Sequence, residues 1–390
     1  MRVSILAAVV VVLVGPCVPA AVALHYEAVD LGTLGGPGSV AVAINNRGEV
    51  AGTAGNVPNL WGAAHAFLWT RKDGMIDLGP TGPRYLSYAG AMNDRGQVVG
   101  YANAPSGHYH AFVWSQQIGM LDIGTLGGWM SFARDINNSG MVVGTSYVAH
   151  GGMHAFVWKP DGGIRDLGTL PGGLESWGYF VNESGDVAGY SRAGYGAYHA
   201  FLWTQSKGMI DLGTLGGYYS EPTAMNNSGD IVGYSWTASG EAHGFFWSKR
   251  TGMVDIGTMG GEKGGESIAW AVNNKGQVVG EAEDDLWVRR AFLWSPQQGL
   301  MQGFEYQDEA KALAVNDSGL VAGDTWVDGH PRAFVWSAQD GLMVLPTLGG
   351  QYSSFGAMND RGEIVGAAET ATGHYNAVLW APRHRNPRAN

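Results

Sequence analysis

Thr223-Ala224-Met225-Asn226-Asn227-Ser228-Gly229-Asp230-Ile231-Val232-Gly233-Tyr234-Ser235 is the stretch whose reading decides the fold. Asn opens a turn through its side-chain hydrogen bond, and Gly in fourth place takes a left-handed conformation at no steric cost. Apolar runs on both sides then read as two short antiparallel strands joined by a three-residue loop with a glycine bulge. Working outward, Gly208-Met209-Ile210-Asp211-Leu212-Gly213 reads as an earlier strand, followed by a glycine-containing connection from Thr214 to Ser220. Beyond a variable loop, Ala242-His243-Gly244-Phe245-Phe246-Trp247 reads as a fourth strand.

The same turn opens at Asn45, Asn93, Asn137, Asn182, Asn226, Asn273, Asn316 and Asn359. A tryptophan follows each one: Trp69, Trp114, Trp158, Trp203, Trp247, Trp294, Trp336 and Trp380. The copies stand 42 to 48 residues apart, a spacing at which each repeat is one supersecondary unit. Eight repeats of four strands without helical periodicity predict an all-β fold, an eight-bladed β-propeller with four-stranded blades. The last repeat has no strand after Trp380, but Tyr26–Gly32 supplies one at the other end of the chain. The N-terminal strand is therefore expected to complete the last blade and close the ring, which removes unpaired edges. Small side chains, as in Ala41-Val42-Ala43-Ile44, suit the crowded axis, so the innermost strand should precede the Asn turn. Phe and Trp belong further out, where the blades diverge.

The expected organisation is a signal peptide over residues 1–23, one propeller domain over 24–380 and a polar tail over 381–390. Arg2, the apolar run Ile5–Val14 and Ala21-Val22-Ala23 have the pattern of a cleavable export signal too short to span a bilayer. That implies a secreted or periplasmic protein with no membrane span. Cys17, the only cysteine, lies inside this segment, so the mature chain would hold no disulfide. The 62 glycines, spread without a three-residue period, point to many turns rather than to collagen or disorder. The 34 acidic against 23 basic residues disfavour nucleic acid, whose phosphates need a basic footprint.

The strings Asp122-Ile123-Gly124-Thr125-Leu126-Gly127-Gly128 and His154-Ala155-Phe156-Val157-Trp158 resemble the HAF-repeat family of exported bacterial proteins. The His-Ala-Phe triplet stands at His65, His110, His154 and His199, and the resemblance covers essentially the whole mature chain. It implies an exported β-rich repeat protein and supplies neither an activity nor catalytic residues. Gly244 departs from the triplet in the fifth copy, and Arg290, Arg332 and Asn376 replace His in the last three.

His65, His110, His154, His199 and His243 each precede an Asp by twelve residues: Asp77, Asp122, Asp166, Asp211 and Asp255. Histidines on separate blades stand too far apart to share a metal at bonds of ~2 Å, so internal His–Asp pairs that pin the outer strands are expected instead. No metal and no cofactor are called for. The Asn turns offer too few carboxylates for calcium. Two less regular groups draw attention on the face where interblade and variable loops open together. One is aromatic, Trp129, Trp177, Tyr218, Tyr219, Trp236, Trp287 and Trp326, all expected in loops. The other is acidic, Glu283, Asp284, Asp285 and Glu305, with Glu262, Glu266 and Glu281 nearby. Loops on a rigid scaffold suit binding, and flat rings beside polar groups suit a carbohydrate-like or polymeric ligand. No Gly-x-Ser-x-Gly elbow, His-Glu-x-x-His motif or cysteine nucleophile is present. The expected function is thus a binding module, acting as a monomer. A polysaccharide-cleaving enzyme on the same face and a ligand-free structural surface or matrix protein are the alternatives.

Overall fold

The computed structural model describes residues 25–56, 64–80, 85–260, 264–298, 302–304 and 309–383. The expected signal segment, Glu262 and Glu305 lie outside these residues. The fold is an eight-bladed β-propeller of four-stranded antiparallel blades. In blade five the strands are Gly216–Met225, Ile231–Thr237, Ala242–Ser248 and Gly252–Gly257, counted outward from the axis. The first strands of neighbouring blades adjoin around the ring. Each first strand carries a register shift just before its Asn turn, between Pro222 and Ala224 in this blade, which tightens its twist where the blades converge.

Blade eight combines Gly349–Met358, Ile364–Thr370 and Tyr375–Arg383 with the N-terminal strand His25–Asp30. His25 to Asp30 pairs with Arg383 to Val378. Residues 381–383, assigned to the tail from the sequence, are thus the end of a paired strand. The seam is fastened again where the Tyr26 hydroxyl donates to the Gly362 carbonyl at 2.9 Å. Burial pushes that phenol's pKa up.

The core is divided among the junctions. Eight hydrophobic clusters each draw side chains from two neighbouring blades. At the junction of blades two and three, Val113 and Ile123 meet Ile136, Phe156 and Trp158. The third strands supply fully buried Phe67, Phe112, Phe156, Phe201, Phe245, Phe292 and Phe334. Each contributes about 2–3 kcal/mol by leaving water. The glycine opposite them is sterically required: a Cβ at Gly144 would lie 2.1 Å from the Phe132 carbonyl oxygen and 2.9 Å from the Phe156 ring.

The Asn turns do more than reverse the chain. Each Asn lies almost fully buried, and Gly48, Gly96, Gly140, Gly185, Gly229, Gly276, Gly319 and Gly362 all have positive φ. The Asn side-chain amide donates to the carbonyl of the equivalent Asn on the next blade. These bonds run Asn45 to Asn93 at 3.2 Å, Asn93 to Asn137 at 3.0 Å and Asn137 to Asn182 at 2.9 Å. They resume from Asn226 to Asn273 and Asn273 to Asn316, both 2.9 Å, then Asn316 to Asn359 at 3.4 Å and Asn359 to Asn45 at 3.0 Å. A second ring lies outside it: the amide of Asn46 donates to Asp94, that of Asp94 to Asn138, and that of Asp360 to Asn46.

Candidate ligand-binding face

The alternating strands give the ring two unlike faces. Asn turns and third-to-fourth-strand turns form one, and interblade connections with second-to-third-strand loops form the other. At the centre of the turn face is a cavity of about 220 Å³ whose lining includes Ile44, Met92, Asn46, Asp94, Asn138 and Glu183. Its polar groups are engaged with one another. Asn138 donates to Asp94 at 3.3 Å and Asn46 to Asp360 at 2.9 Å. Among the described residues no three His, Cys, Asp or Glu side chains are placed to hold a metal ion. No helix among them is long and apolar enough to cross a membrane.

The loop face is held by two repeated hydrogen-bond sets. His Nδ1 meets the Asp carboxylate at 2.8 Å in His65–Asp77 and His110–Asp122, and at 2.9 Å in His154–Asp166, His199–Asp211 and His243–Asp255. The carboxylates remain nearly half exposed, so these pairs lie at the rim rather than inside. Each Asp also accepts the amide of the Gly two residues on, as Asp211 does from Gly213 at 2.8 Å. At Asp211 and Asp255 desolvation pushes the pKa up, but the hydrogen bonds from His and Gly prevail and hold it below the usual value. In blade eight Asn376 takes the place of His and donates to Asp30 at 3.0 Å. Arg332 instead donates to the Leu345 carbonyl at 2.9 Å.

The second set was not anticipated from the sequence. A buried serine in the first strand of every blade but the seventh accepts the amide of the residue after the His position in the preceding blade. Ser176 takes Ala155 at 2.9 Å and Ser220 takes Ala200 at 2.8 Å. The same hydroxyl donates to the Gly of Asp-x-Gly, from Ser176 to Gly168 and from Ser220 to Gly213 at 2.6 Å. Blade seven has Ala310 at this position and lacks both bonds. The signal was present: a serine recurs twenty to twenty-three residues after that Ala or Gly in six of eight repeats, and Ser39 serves Ala377 across the closure of the ring.

Six of the seven candidate aromatics stand on strands, not in loops. Trp129 belongs to Gly127–Ile136, Trp177 to Ser176–Val181, and Tyr218 and Tyr219 to Gly216–Met225. Trp236 and Trp326 lie near the outer-face ends of the second strands Ile231–Thr237 and Val321–Val327. The glycine pairs that looked like connections start longer strands, bridged as Gly127 to Val148 and Gly216 to Thr237. Trp129 stacks on Tyr147 at 4.6 Å and 27°, and Tyr218 packs on Trp236 at 4.8 Å. Their outer surfaces stay open, with Trp129 48% and Tyr218 57% exposed. Of the eleven large hydrophobic side chains exposed among the described residues, nine lie on the loop side; Ile118 and Leu121 are the other two.

Trp287 is the candidate that does stand in a loop. It ends the turn from Asp284, donating its amide to the Asp284 carbonyl at 2.9 Å. The corresponding turns at Ala104, Val148, Thr237 and Thr370 end in Gly107, Gly151, Gly240 and Gly373, all with positive φ. Trp287 has φ 63° and is 62% exposed. A bulky residue in that region is strained.

The acidic candidates converge, but on cations of the same chain. Arg289 lies 3.3 Å from Glu281, 3.4 Å from Glu266 and 3.7 Å from Glu283. Lys311 stands 3.6 Å from Glu281, which is only 2% exposed. Asp284 accepts Arg290 at 2.9 Å and the amides of Leu286 and Val288. Those amides, Val288 foremost, and Arg290 hold its pKa below the usual value. Asp285 occupies the next position of the same turn. These acids shape the loop that displays Trp287.

No family model matches the chain, and no curated protein is detectably similar to it. Solved structures do resemble it in shape. A prolyl endopeptidase aligns with a TM-score of 0.56 and 11% identity over 91% of this chain and 56% of its own. A puromycin hydrolase aligns at 0.52 and 11% identity over 87% and 59%, and a puromycin-hydrolyzing peptidase of Mycobacterium tuberculosis at 0.50 and 12% over 79% and 54%. The chain spans little more than half the length of each of these. At such identities the likeness is one of fold, and it places this chain among the β-propellers.

Proposed function

We propose that this chain is an exported β-propeller binding module that holds a carbohydrate-like or polymeric ligand on its loop face. The observation that supports this most is the gathering of exposed flat rings on that face while the turn face spends its polar groups on itself. Exposed apolar patches of this kind mark interaction sites. Trp287 adds weight: a glycine would relieve its backbone, yet an exposed indole stands there. Strain kept at a surface ring suits function better than stability. Trp129, Tyr218 and Trp326 offer further ring surface, and Trp177, Tyr219 and Trp236 back it from the strands.

The test is Trp287→Gly, with glycan-array and polysaccharide pull-down measurements on the full chain. Binding should fall at least tenfold while the melting temperature rises by a degree or so. Unchanged binding in this variant and in a Trp129→Ala, Tyr218→Ala, Trp287→Gly triple variant would refute the reading.

A further inference from the structure

Near the axis, on the loop side, an aromatic arc runs across blades four and five. Trp177 stacks on Tyr190 at 4.7 Å and 16°, Tyr179 lies 5.6 Å from Tyr190, and Tyr219 stacks on Tyr234 at 5.8 Å. Tyr190 and Tyr219, 6.5 Å apart, join the two groups. At that junction the blades also touch through a parallel bridge between Tyr198 and Tyr219. A polar residue flanks the arc at each end. Glu221 accepts the Tyr219 hydroxyl and, at 2.8 Å, the Tyr234 hydroxyl, both on Oε2. Its Oε1 has no hydrogen bond from the described residues. At the other end the exposed Arg134 guanidinium lies 5.8 Å over the Tyr179 ring and makes no ion pair among the described residues.

Arg134 and Tyr179 occupy the residue skipped by the register shift in blades three and four. Gly90 and Gly356 take that position in blades two and eight. Val42, Thr223, Trp270 and Leu313 take it in blades one, five, six and seven, so only blades three and four put an arginine or a tyrosine there. The arc holds one acceptor and one planar donor fork, with rings between them, and the two charges offset. An ammonium ligand would face Arg134, and a carboxylate ligand would face Glu221. A neutral polyol suits both ends, since hydroxyls donate to a carboxylate oxygen and accept from a guanidinium. Burial and the Glu221 hydrogen bond push the Tyr219 phenol upward, so it stays protonated.

We infer that this arc is a subsite for a short run of pyranose units of a neutral polysaccharide. The sugars' C–H faces rest on the rings, and their hydroxyls reach Glu221 Oε1 at one end and Arg134 at the other. The inference rests on the loop-face reading above and specifies its ligand chemistry. The probes are neutral cello-, manno-, xylo- and N-acetylchito-hexaoses, with oligogalacturonate and oligoglucosamine as anionic and cationic counterparts. Titration calorimetry of the full chain should give saturable binding of a neutral hexaose. Arg134→Ala should weaken it at least fivefold without shifting the melting temperature, because that side chain is exposed. Glu221→Gln should weaken it about tenfold. Loss of binding in Trp287→Gly with no change in Arg134→Ala and Glu221→Gln would overturn the subsite and leave the face intact. Binding of a charged oligomer alone would overturn the neutral ligand, and binding of no oligosaccharide would overturn both readings.

Discussion

Replacing Asn137 by Ala separates the turn from the ring it belongs to. Asn137 makes four side-chain hydrogen bonds: Nδ2 donates to the Asn182 carbonyl, and Oδ1 accepts Ser139 N, Ser139 Oγ and Met141 N. Ser139 is exposed and its groups rehydrate on truncation. The Met141 amide belongs to a buried residue, and the Asn182 carbonyl lies in the buried ring. Two orphaned buried groups at about 1–2 kcal/mol each, with a fraction more from Ser139, give about 3–4 kcal/mol. An unfolding entropy of about 2.1 cal/mol/K per residue over about 350 residues is roughly 0.7 kcal/mol/K, so the melting temperature should fall by about 4–6 °C.

Asn182 is the internal control. It opens the same turn and is equally buried, yet its one side-chain hydrogen bond takes the Asp186 amide at 2.9 Å. Asn182→Ala should therefore cost about 1 kcal/mol, a shift of roughly 1–2 °C. Thermal melts by circular dichroism, checked by urea titration, compare the two directly. Equal shifts would refute the ring as a stabilising element and leave only turn chemistry.

Ser176→Ala removes both interblade bonds of a buried hydroxyl and should destabilise by about 1–3 kcal/mol, whereas Ala310→Ser should raise the urea midpoint slightly by offering Ala291 an acceptor. At the His243–Asp255 pair, the hydrogen bond that His243 donates to Asp255 pushes His243 up, so its contribution is complete below about pH 6.5 and fades as pH rises through the raised value. Asp255 is held low, so its contribution is complete above about pH 3.8 and fades as pH falls through the lowered value. The melting difference between wild type and His243→Ala should thus peak between these limits, and a difference that is flat from pH 3 to pH 8, roughly the span of both groups, would contradict the pairing. Burial pushes Asp324 up to about 6, the opposite sign, so ionising it costs stability as pH rises from about 4 to 6. Asp324→Asn retains an acceptor for the Phe355 amide and should stabilise by about 1–3 kcal/mol well above pH 6 but not at pH 4.

The blade was legible because its signals are local. An Asn three residues before a Gly defines a turn without knowledge of anything distant, and repetition supplied the count. The closing strand was legible from arithmetic, since one copy lacked what the chain's start possessed. Contacts between blades were harder to read, because they depend on how residues twenty or more positions apart come into register. Even so, the Asn ring left a trace. Asp opens the same turn as well as Asn does, yet no repeat starts with Asp, and only an amide carries the donor that reaches the next blade. The aromatics were misplaced for a related reason. Gly127-Gly128 and Gly216-Gly217 look like connections, but close approach to the neighbouring strand requires them: a Cβ at Gly128 would lie 2.5 Å from that of Tyr147.

The division of labour between the faces follows from where hydrogen-bonding capacity is used. On the turn face, every turn Asn except Asn182, and most of their neighbours, are committed to the next blade, so a ligand there would have to displace bonds that help hold the ring. On the loop face, His, Asp and Ser settle the backbone at the rim, and Arg289 with Arg290 settles the acids. Among the groups that stay unspent in the described residues are ring surfaces, one oxygen of Glu221 and the guanidinium of Arg134. Arg134 and Tyr179 stand where the repeats differ: the same position in the other blades holds Val42, Gly90, Thr223, Trp270, Leu313 and Gly356. A position filled by seven residue types in eight blades does not serve the closure that all eight share. Eightfold symmetry builds the ring, and on the proposed reading departures from it give one sector of the loop face the means to recognise a ligand.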